Sequence, residues 1–341
     1  MSTETIALRP GTGLPRQGKP HGGRGRRLAL TIVSKYGTLI AMAVMILIFG
    51  LGVPNGAFLS SNNLLAIVNQ SALTAIIASG LTLVLVVGEM DLSIGYAASL
   101  AGILVTGLMA NQGLPLPIAI LVTLLIGALI GTVNGLLVTK VGVNAVVATL
   151  GVGTVLIGLA YGYTAGSPII SVPTAFTNIT LGRFLTIQNP IWIMIAILAV
   201  LWVILNRTPS GQRMQAVGAN KNAAHLAGLR TDRAKITAFI IAGVCAAITG
   251  ILLASLLGSG TVSAGDGYLL DSFAAVFLGA ATLRDGDFHI IGTLVGVLVV
   301  NVGFNGLSLM GTPTFWQFVF KGGILVLAVA LSTFARRYSK A

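Results

Sequence analysis

Three carboxylates stand out because the sequence around them is almost entirely apolar. Glu89 and Asp91 lie between two long apolar runs, and Asp271 stands at the start of another. Carboxylates at membrane depth are costly, so they usually face protein, water or an ion-binding function. A second interpretation is open for Asp91, whose side chain could cap the following helix with the assistance of Ser93.

The sequence contains no motif typical of an enzyme. His21, His225 and His289 have no cysteine or carboxylate cluster at metal-ligand spacing beside them. Zinc-protease and serine-hydrolase motifs do not occur. The single cysteine, Cys245, cannot form an internal disulfide. We therefore predict a protein that is not an enzyme, binds no metal or cofactor, and has no nucleotide site of its own.

The composition is that of a multi-pass membrane protein. Hydrophobic residues make up 55% of the chain and charged residues only 8%, and the mean hydropathy is +0.95. A soluble domain would carry about a quarter charged residues. The net charge of +12 does not indicate nucleic-acid binding, because no soluble domain is present to read a groove. The 44 glycines favour close packing between helices.

Apolar runs of spanning length predict an all-α fold with about ten transmembrane helices. The predicted spans are 36–53, 64–87, 93–110, 116–138, 145–164, 190–206, 235–257, 269–283, 290–309 and 315–334. Two of them are less regular: the eighth is short, and the second carries Asn69 and Gln70 and is expected to be broken or partly re-entrant.

The distribution of Lys and Arg predicts that both termini are cytosolic. With the N-terminus inside, all but Arg183 and Lys321 of the 20 cations fall in cytosolic segments. We predict a disordered basic tail over 1–34, a membrane domain over 35–335 with a cytosolic loop at 207–234, and a cytosolic C-terminal tail over 336–341. The long external connection 165–189 is either a contact surface or a passive loop.

A faint internal repeat relates the two halves of the chain. The sequence around Asn134 (Gly-Thr-Val-Asn-Gly-Leu) resembles that around Asn305 (Val-Gly-Phe-Asn-Gly-Leu). The copies end the fourth and the ninth predicted spans, so they would have opposite orientations in the membrane. Inverted repeats of this kind are common in transporters, whose transport path lies at the repeat interface.

The cytosolic loop contains a predicted short helix. Asn220 can cap it and Gly228 can end it in a left-handed conformation. The residues between them are small, so a partner could approach the helix closely. Two interpretations are open, a docking helix for a partner protein and an ordinary soluble loop.

Five motifs in this order resemble the permease subunits of ribose-type ATP-binding-cassette (ABC) importers of monosaccharides. They are Gly-x-x-Asp-Leu-Ser-x-Gly at 88–95, Asn-Gly-Leu at 134–136, Thr-Leu-Gly at 149–151, Gly-x-Asn-x-x-Ala-Ala-x-x-x-Gly at 218–228 and Gly-x-Gly-Tyr-x-Leu-Asp-x-x-Ala-Ala at 265–275. The resemblance covers roughly residues 40 to 335.

This resemblance implies an inverted-repeat permease fold in a bacterial inner membrane, and a set of partners. These are a cytosolic ATPase that uses ATP and Mg²⁺, an extracytoplasmic sugar-binding protein, a second permease copy or related chain, and membrane lipid. The loop at 218–228 matches the segment with which that family engages its ATPase. The implied docking residues are Gly218, Asn220, Asn222, Ala223, Ala224, His225 and Gly228.

Further candidate residues concern the gate and the path. Glu89, Asp91 and Ser93 are expected to form a gate or helix cap at the cytosolic end of the second and third spans. The candidates for the translocation path are Asn69, Gln70, Asn134, Asn144, Thr149, Asp271 and Asn305. Lys321 either reaches the membrane interface or lines the path or a subunit contact.

The chain departs from the family pattern in several places. Glu89 stands where the family usually has glycine, and Leu270 stands where it has glutamate. A glycine-rich turn of the family is replaced at 280–287. The sequence leaves a second function open, an ion-coupled secondary transporter of a small polar solute, in which the carboxylates of the spans would bind the ion.

Overall fold

The computed structural model describes residues 24–280 and 286–339, and the side chains of 37–280 and 286–330. The described chain is almost wholly helical. Its helices are α1 (Arg24–Gly52), α2 (Ser61–Val86), α3 (Ile94–Ala110), α4 (Leu116–Leu136), α5 (Ala145–Thr164), α6 (Thr174–Leu181), α7 (Asn189–Arg207), α8 (Pro209–Ala219), α9 (Lys221–Leu226), α10 (Thr231–Leu257), α11 (Gly267–Ala280), α12 (Ile290–Leu309) and α13 (Thr314–Ser339). A 3-10 turn at Pro54–Leu59 precedes α2, and a π-helical turn at Leu137–Val141 extends α4.

All ten predicted spans coincide with helices. Within the described residues, six helical segments are long and apolar enough to cross a membrane, and four shorter apolar helices accompany them. The all-α, multi-pass architecture is therefore confirmed, whereas the number of spans stays a prediction. The second span was expected to be broken, and this is wrong: α2 runs without interruption past Asn69 and Gln70.

The predicted tails are shorter than expected. Helix α1 begins at Arg24, so the part of the tail from 24 to 34 is helical, and α13 continues through 336 to Ser339. After Gly25, residues 26–35 include no glycine or proline that would end a helix, so α1 extends through them, and its apolar part is Gly37–Gly52. Residues 1–23, 281–285 and 340–341 lie outside the described residues, and with them the rest of the disorder prediction and most of the altered turn at 280–287.

The repeat predicted from two short matches extends over four helix pairs. Shifting α2, α3, α4 and α5 by the spacing between Asn134 and Asn305 brings them onto α10, α11, α12 and α13 to within about one helical turn at each end. The non-helical segments 87–93 and 258–266, which precede α3 and α11, also correspond.

The core lies around α2, α3 and α10. Two thirds of the spanning windows of α2 and α10 are buried (67%), against 28% for α4 with its π-turn. Glycine permits the closest contacts: a Cβ at Gly243 of α10 would collide with the carbonyl oxygen of Gly127 of α4. The outer helices expose apolar side chains, as lipid contact requires, for example Leu125 and Leu129 of α4.

The connection between α5 and α7, which was predicted to be external, is folded. It contains α6 and a hairpin of two short strands, β1 (Arg183–Phe184) and β2 (Ile187–Gln188). Trp192 donates a hydrogen bond from Nε1 to the carbonyl oxygen of Phe184, at 3.2 Å, and its ring meets that of Phe184 edge-on. The sequence predicted neither element, because turn-rich segments of this length carry little periodicity.

Candidate functional site

The segment that was predicted to be a cytosolic loop forms two helices, α8 and α9, that present a small surface. Asn220 caps α9 as predicted, since its Oδ1 accepts a hydrogen bond from the amide of Ala223 at 3.0 Å. Gly228 adopts φ of +78° directly after the helix, which also confirms the predicted stop. We call the exposed residues Lys221, Asn222, His225 and Leu226 the docking surface. They line one shallow depression.

Leu226 is the apolar centre of the docking surface. Leu226 is 88% exposed, more than any other large hydrophobic residue whose side chain the structure describes. The sequence analysis did not single it out, although its position at the end of a capped, otherwise small-faced helix was visible. Leu226 lies beside Lys221, Asn222 and His225, so the depression combines one apolar side chain with three polar ones.

Two of the predicted docking residues do not belong to this surface. Ala224 is buried, because it lies on the inner face of α9. Gly218 lies on α8, a helix that the sequence analysis did not predict, and its Cα packs on the end of α2. A Cβ there would collide with the carbonyl oxygen of Val86. We call α8 and α9 together the docking segment. Gly218 and Ala224 therefore hold the docking segment against the rest of the protein.

Next to this contact, the connection between α2 and α3 (residues 87–93) contains a buried polar network. Asp91 accepts two hydrogen bonds from Ser93, one from its amide at 2.9 Å and one from its hydroxyl at 2.6 Å. Asn134 of α4 donates from Nδ2 to Ser93 Oγ at 2.8 Å. The amide of Leu92 donates to Thr149 Oγ1 of α5 at 3.0 Å. The network joins the starts of α3 and α5 to the end of α4.

The predicted capping geometry of Asp91 is wrong. Ser93 occupies the N-cap of α3 without a side-chain capping bond, and Asp91 bonds to Ser93 instead of the amides near Gly95. Standing two residues before the cap, Asp91 reaches the amide two positions ahead, as Asp does in turns. Burial raises the pKa of Asp91, and the two bonds from Ser93 oppose that shift.

Glu89 and Lys321, which the sequence left unexplained, both form ion pairs. Glu89 pairs with Lys235 in the first turn of α10. Lys321 of α13 pairs with Asp271 of α11, with 2.6 Å between Nζ and Oδ1, and its Nζ lies 5.3 Å from the centre of the Phe304 ring. Each pair neutralises a charge that would be costly near hydrocarbon.

The remaining path candidates are not brought together. Asn144 caps α5 by accepting from the amide of Val146, and Asn305 forms two reciprocal 2.9 Å hydrogen bonds with Asn63 at the other end of α2. Asn134 and Thr149 are fully buried in the network, so they line no open path in this conformation. Gln70 is exposed on α2 and Asn69 is half-buried, and their role in a path stays a prediction.

The non-helical segment 258–266, which precedes α11, packs against α3. Ser99 Oγ accepts from the amide of Gly265 at 2.9 Å and donates to Asp266 at 3.1 Å. Irregular backbone at membrane depth needs such internal partners. Across the described residues, no cluster of His, Cys, Asp and Glu could hold a metal ion.

Comparison with known proteins finds one family over most of the chain. Residues 63–329 match the family described as branched-chain amino acid transport system / permease component. The ribose import permease RbsC of Bacillus subtilis is 37% identical over 88% of this chain and 93% of its own length. The L-arabinose ABC transporter permease AraH of Azospirillum brasilense is 33% identical over 93% of each chain. The xylose transport system permease XylH of Escherichia coli is 30% identical over 88% of this chain and 92% of its own. No solved structure matches.

Proposed function

Since the chain belongs to this permease family, among its ribose-type sugar permeases, we propose that it is the membrane subunit of an ABC importer for a monosaccharide. Ribose, arabinose, xylose and allose are the sugars that its relatives are named for, and they define the substrate class. The chain would operate in a bacterial inner membrane, with both termini in the cytosol.

The docking surface is the observation that carries this proposal. A capped helix that ends in an exposed Leu226 would give a cytosolic ATPase a surface to bind. ATP and Mg²⁺ would bind to that ATPase, and this chain would bind neither. Gly218 and Ala224 would hold the docking segment rigidly, so that movement of the ATPase is passed on to α2 and α10.

Two further partners complete the assembly. A second copy of the chain, or a related one, would enclose the path together with this copy. A sugar-binding protein would deliver the substrate to the external face, where α6 and the β1–β2 hairpin expose Phe184 and Leu185. Membrane lipid would cover the exposed apolar faces of helices such as α4.

The structure gives little support to coupling by an ion. Glu89 and Asp271 are each paired with a lysine, and Asp91 is held by Ser93. A carboxylate that binds a coupling ion must be able to exchange its partner for that ion. The hypothesis of a secondary transporter therefore rests on carboxylates that are already occupied.

We test the driving force by measuring uptake of radiolabelled ribose, arabinose, xylose and allose into vesicles that contain the purified complex. Import of at least one sugar should require ATP inside and be blocked by vanadate, and it should persist with a protonophore while ATP is maintained. Uptake that a protonophore abolishes under these conditions would contradict the proposal.

We test the docking surface with Leu226→Asn. Loss of an exposed apolar anchor at the centre of an interface should weaken ATPase binding by about tenfold or more, as for other interface hot spots. The measurement is the amount of ATPase that copurifies with the chain at limiting concentration. Leu185→Asn changes another strongly exposed leucine (69% exposed) on the opposite side, so it is the control and should leave the ATPase yield unchanged. Equal yields from both variants would remove Leu226 from the docking surface.

A further inference from the structure

The Glu89–Lys235 ion pair lies where the docking segment meets the membrane domain. Glu89 belongs to the connection between α2 and α3, and its amide is fixed to the carbonyl oxygen of Val84 at 3.0 Å. Lys235 stands in the first turn of α10, directly after the docking segment. The two side chains are only 17% and 8% exposed. The pair therefore joins two elements that are distant in sequence through a mostly buried charge contact.

The docking segment has little freedom to move independently of this pair. The amide of Leu229 donates to Ala224 at 3.0 Å, and that of Thr231 donates to Leu229 at 3.0 Å, so the turn between α9 and α10 is compact. Gly218 of α8 packs on Val86 at the end of α2. The docking segment thus contacts the end of α2 at Val86, and α10, which follows the segment, contacts the α2–α3 connection through the ion pair at Glu89.

The same connection is hydrogen-bonded on its other side to two helices, α4 and α5. Ser93 accepts from Asn134 of α4, and the amide of Leu92 donates to Thr149 of α5. Residues 87–93 therefore connect the ion pair at Glu89 with the buried network at the start of α3. Movement of α10 can reach that network through Glu89.

The ion pair is better explained by the relative position that it fixes between two elements than by a contribution to the stability of the fold. A buried ion pair is often no more stabilising than apolar residues of the same volume, because both charges lose their hydration. A charge pair does, however, fix the relative position of its two elements. A glycine at position 89 has no side chain and could not make this contact.

We propose that Glu89 and Lys235 are positioning residues that transmit movement of the ATPase-docking segment to the gate at residues 91–93. This inference rests on the proposed function, since it presumes an ATPase on the docking surface. The pair touches neither sugar nor nucleotide. Its effect would appear in the number of ATP molecules hydrolysed per sugar imported.

The test compares four variants in vesicles that also contain the ATPase and the binding protein. Glu89→Gln and Lys235→Met each leave one charge unpaired. The combination of Glu89→Gln with Lys235→Met removes both charges, and the combination of Glu89→Lys with Lys235→Glu exchanges them. Lys140→Gln is the control, because Lys140 forms a 2.8 Å ion pair with Asp232 in the same turn of α10, but on the surface.

A purely structural pair and a transmitting pair predict different results for the doubly neutral variant. We expect its ATPase yield and thermal stability to equal those of the parent, while the ATP used per sugar rises about fivefold, as for other coupling contacts. The exchanged variant should return to within about twofold of the parent ratio, and Lys140→Gln should not change it.

A doubly neutral variant with the parental ATP-to-sugar ratio would overturn the inference, and so would an exchanged variant that assembles normally but stays uncoupled. The parent complex separates this claim from the one beneath it. If the parent itself shows no ATP-driven import, the proposed function fails and the inference fails with it. If the parent is coupled and the doubly neutral variant is too, only the inference fails.

Discussion

Ser93 shows how a single residue can hold a buried network together. Its hydroxyl donates to Asp91 and accepts from Asn134, so it uses both of its hydrogen-bonding roles in a site that excludes water. Asp91 is buried and forms none of the ion pairs described above, so the two hydrogen bonds from Ser93 compensate its lost hydration. In this chain, the motif at 88–95 therefore forms a local hydrogen-bonded structure around Ser93.

We predict that Ser93→Ala destabilises the protein by about 1–3 kcal/mol, because the buried Nδ2 donor of Asn134 loses its acceptor and Asp91 keeps only the bond from the backbone amide of residue 93. The measurement is the denaturation midpoint of the purified protein in detergent. Ser61→Ala, an exposed serine at the first position of α2, should change the midpoint little. A Ser93→Ala variant as stable as Ser61→Ala would show that the network has no energetic weight.

At the scale of elements, α8 is the helix that fixes how the docking segment meets the membrane domain. It begins after Thr208, whose hydroxyl accepts from the amide of Gly211 at 3.3 Å, and it ends at Asn220, which caps the next helix. Buried Met214 and Val217 hold its inner face. Close approach to α2 is possible only because Gly218 has no side chain.

We therefore expect Gly218→Ala to displace α8 from α2. The added Cβ meets the carbonyl oxygen of Val86, a backbone atom that cannot rotate away. Overpacking of this kind costs about 1–3 kcal/mol, and it should lower the ATPase yield as well as the denaturation midpoint. Gly151→Ala is the control, since a Cβ there meets nothing within 4 Å. Equal behaviour of the two variants would contradict the packing role of Gly218.

For the whole molecule, the sequence was informative where physical constraints are strong. The long apolar runs, the Asn220 cap and the Gly228 stop each depend on a few residues, and all of them were predicted correctly. Contacts between distant segments were not predictable, because no local pattern connects Glu89 with Lys235 or Lys321 with Asp271. The packing of Gly218 on α2 was not predictable for the same reason, and its part in docking stays a prediction.

The orientation of the whole molecule in the membrane leads to the last prediction. The docking surface and the β1–β2 hairpin must lie on opposite sides if the cationic segments are cytosolic. The only cysteine, Cys245, is buried in α10, so single cysteines added at the surface can be labelled selectively. In intact cells, a membrane-impermeant maleimide should label Leu185→Cys and leave Asn222→Cys unlabelled. Inside-out vesicles should give the opposite pattern, and the parent chain should stay unlabelled in both preparations. Labelling of Asn222→Cys in intact cells would place the docking surface outside, where no ATP is available, and would overturn both the topology and the importer built on it.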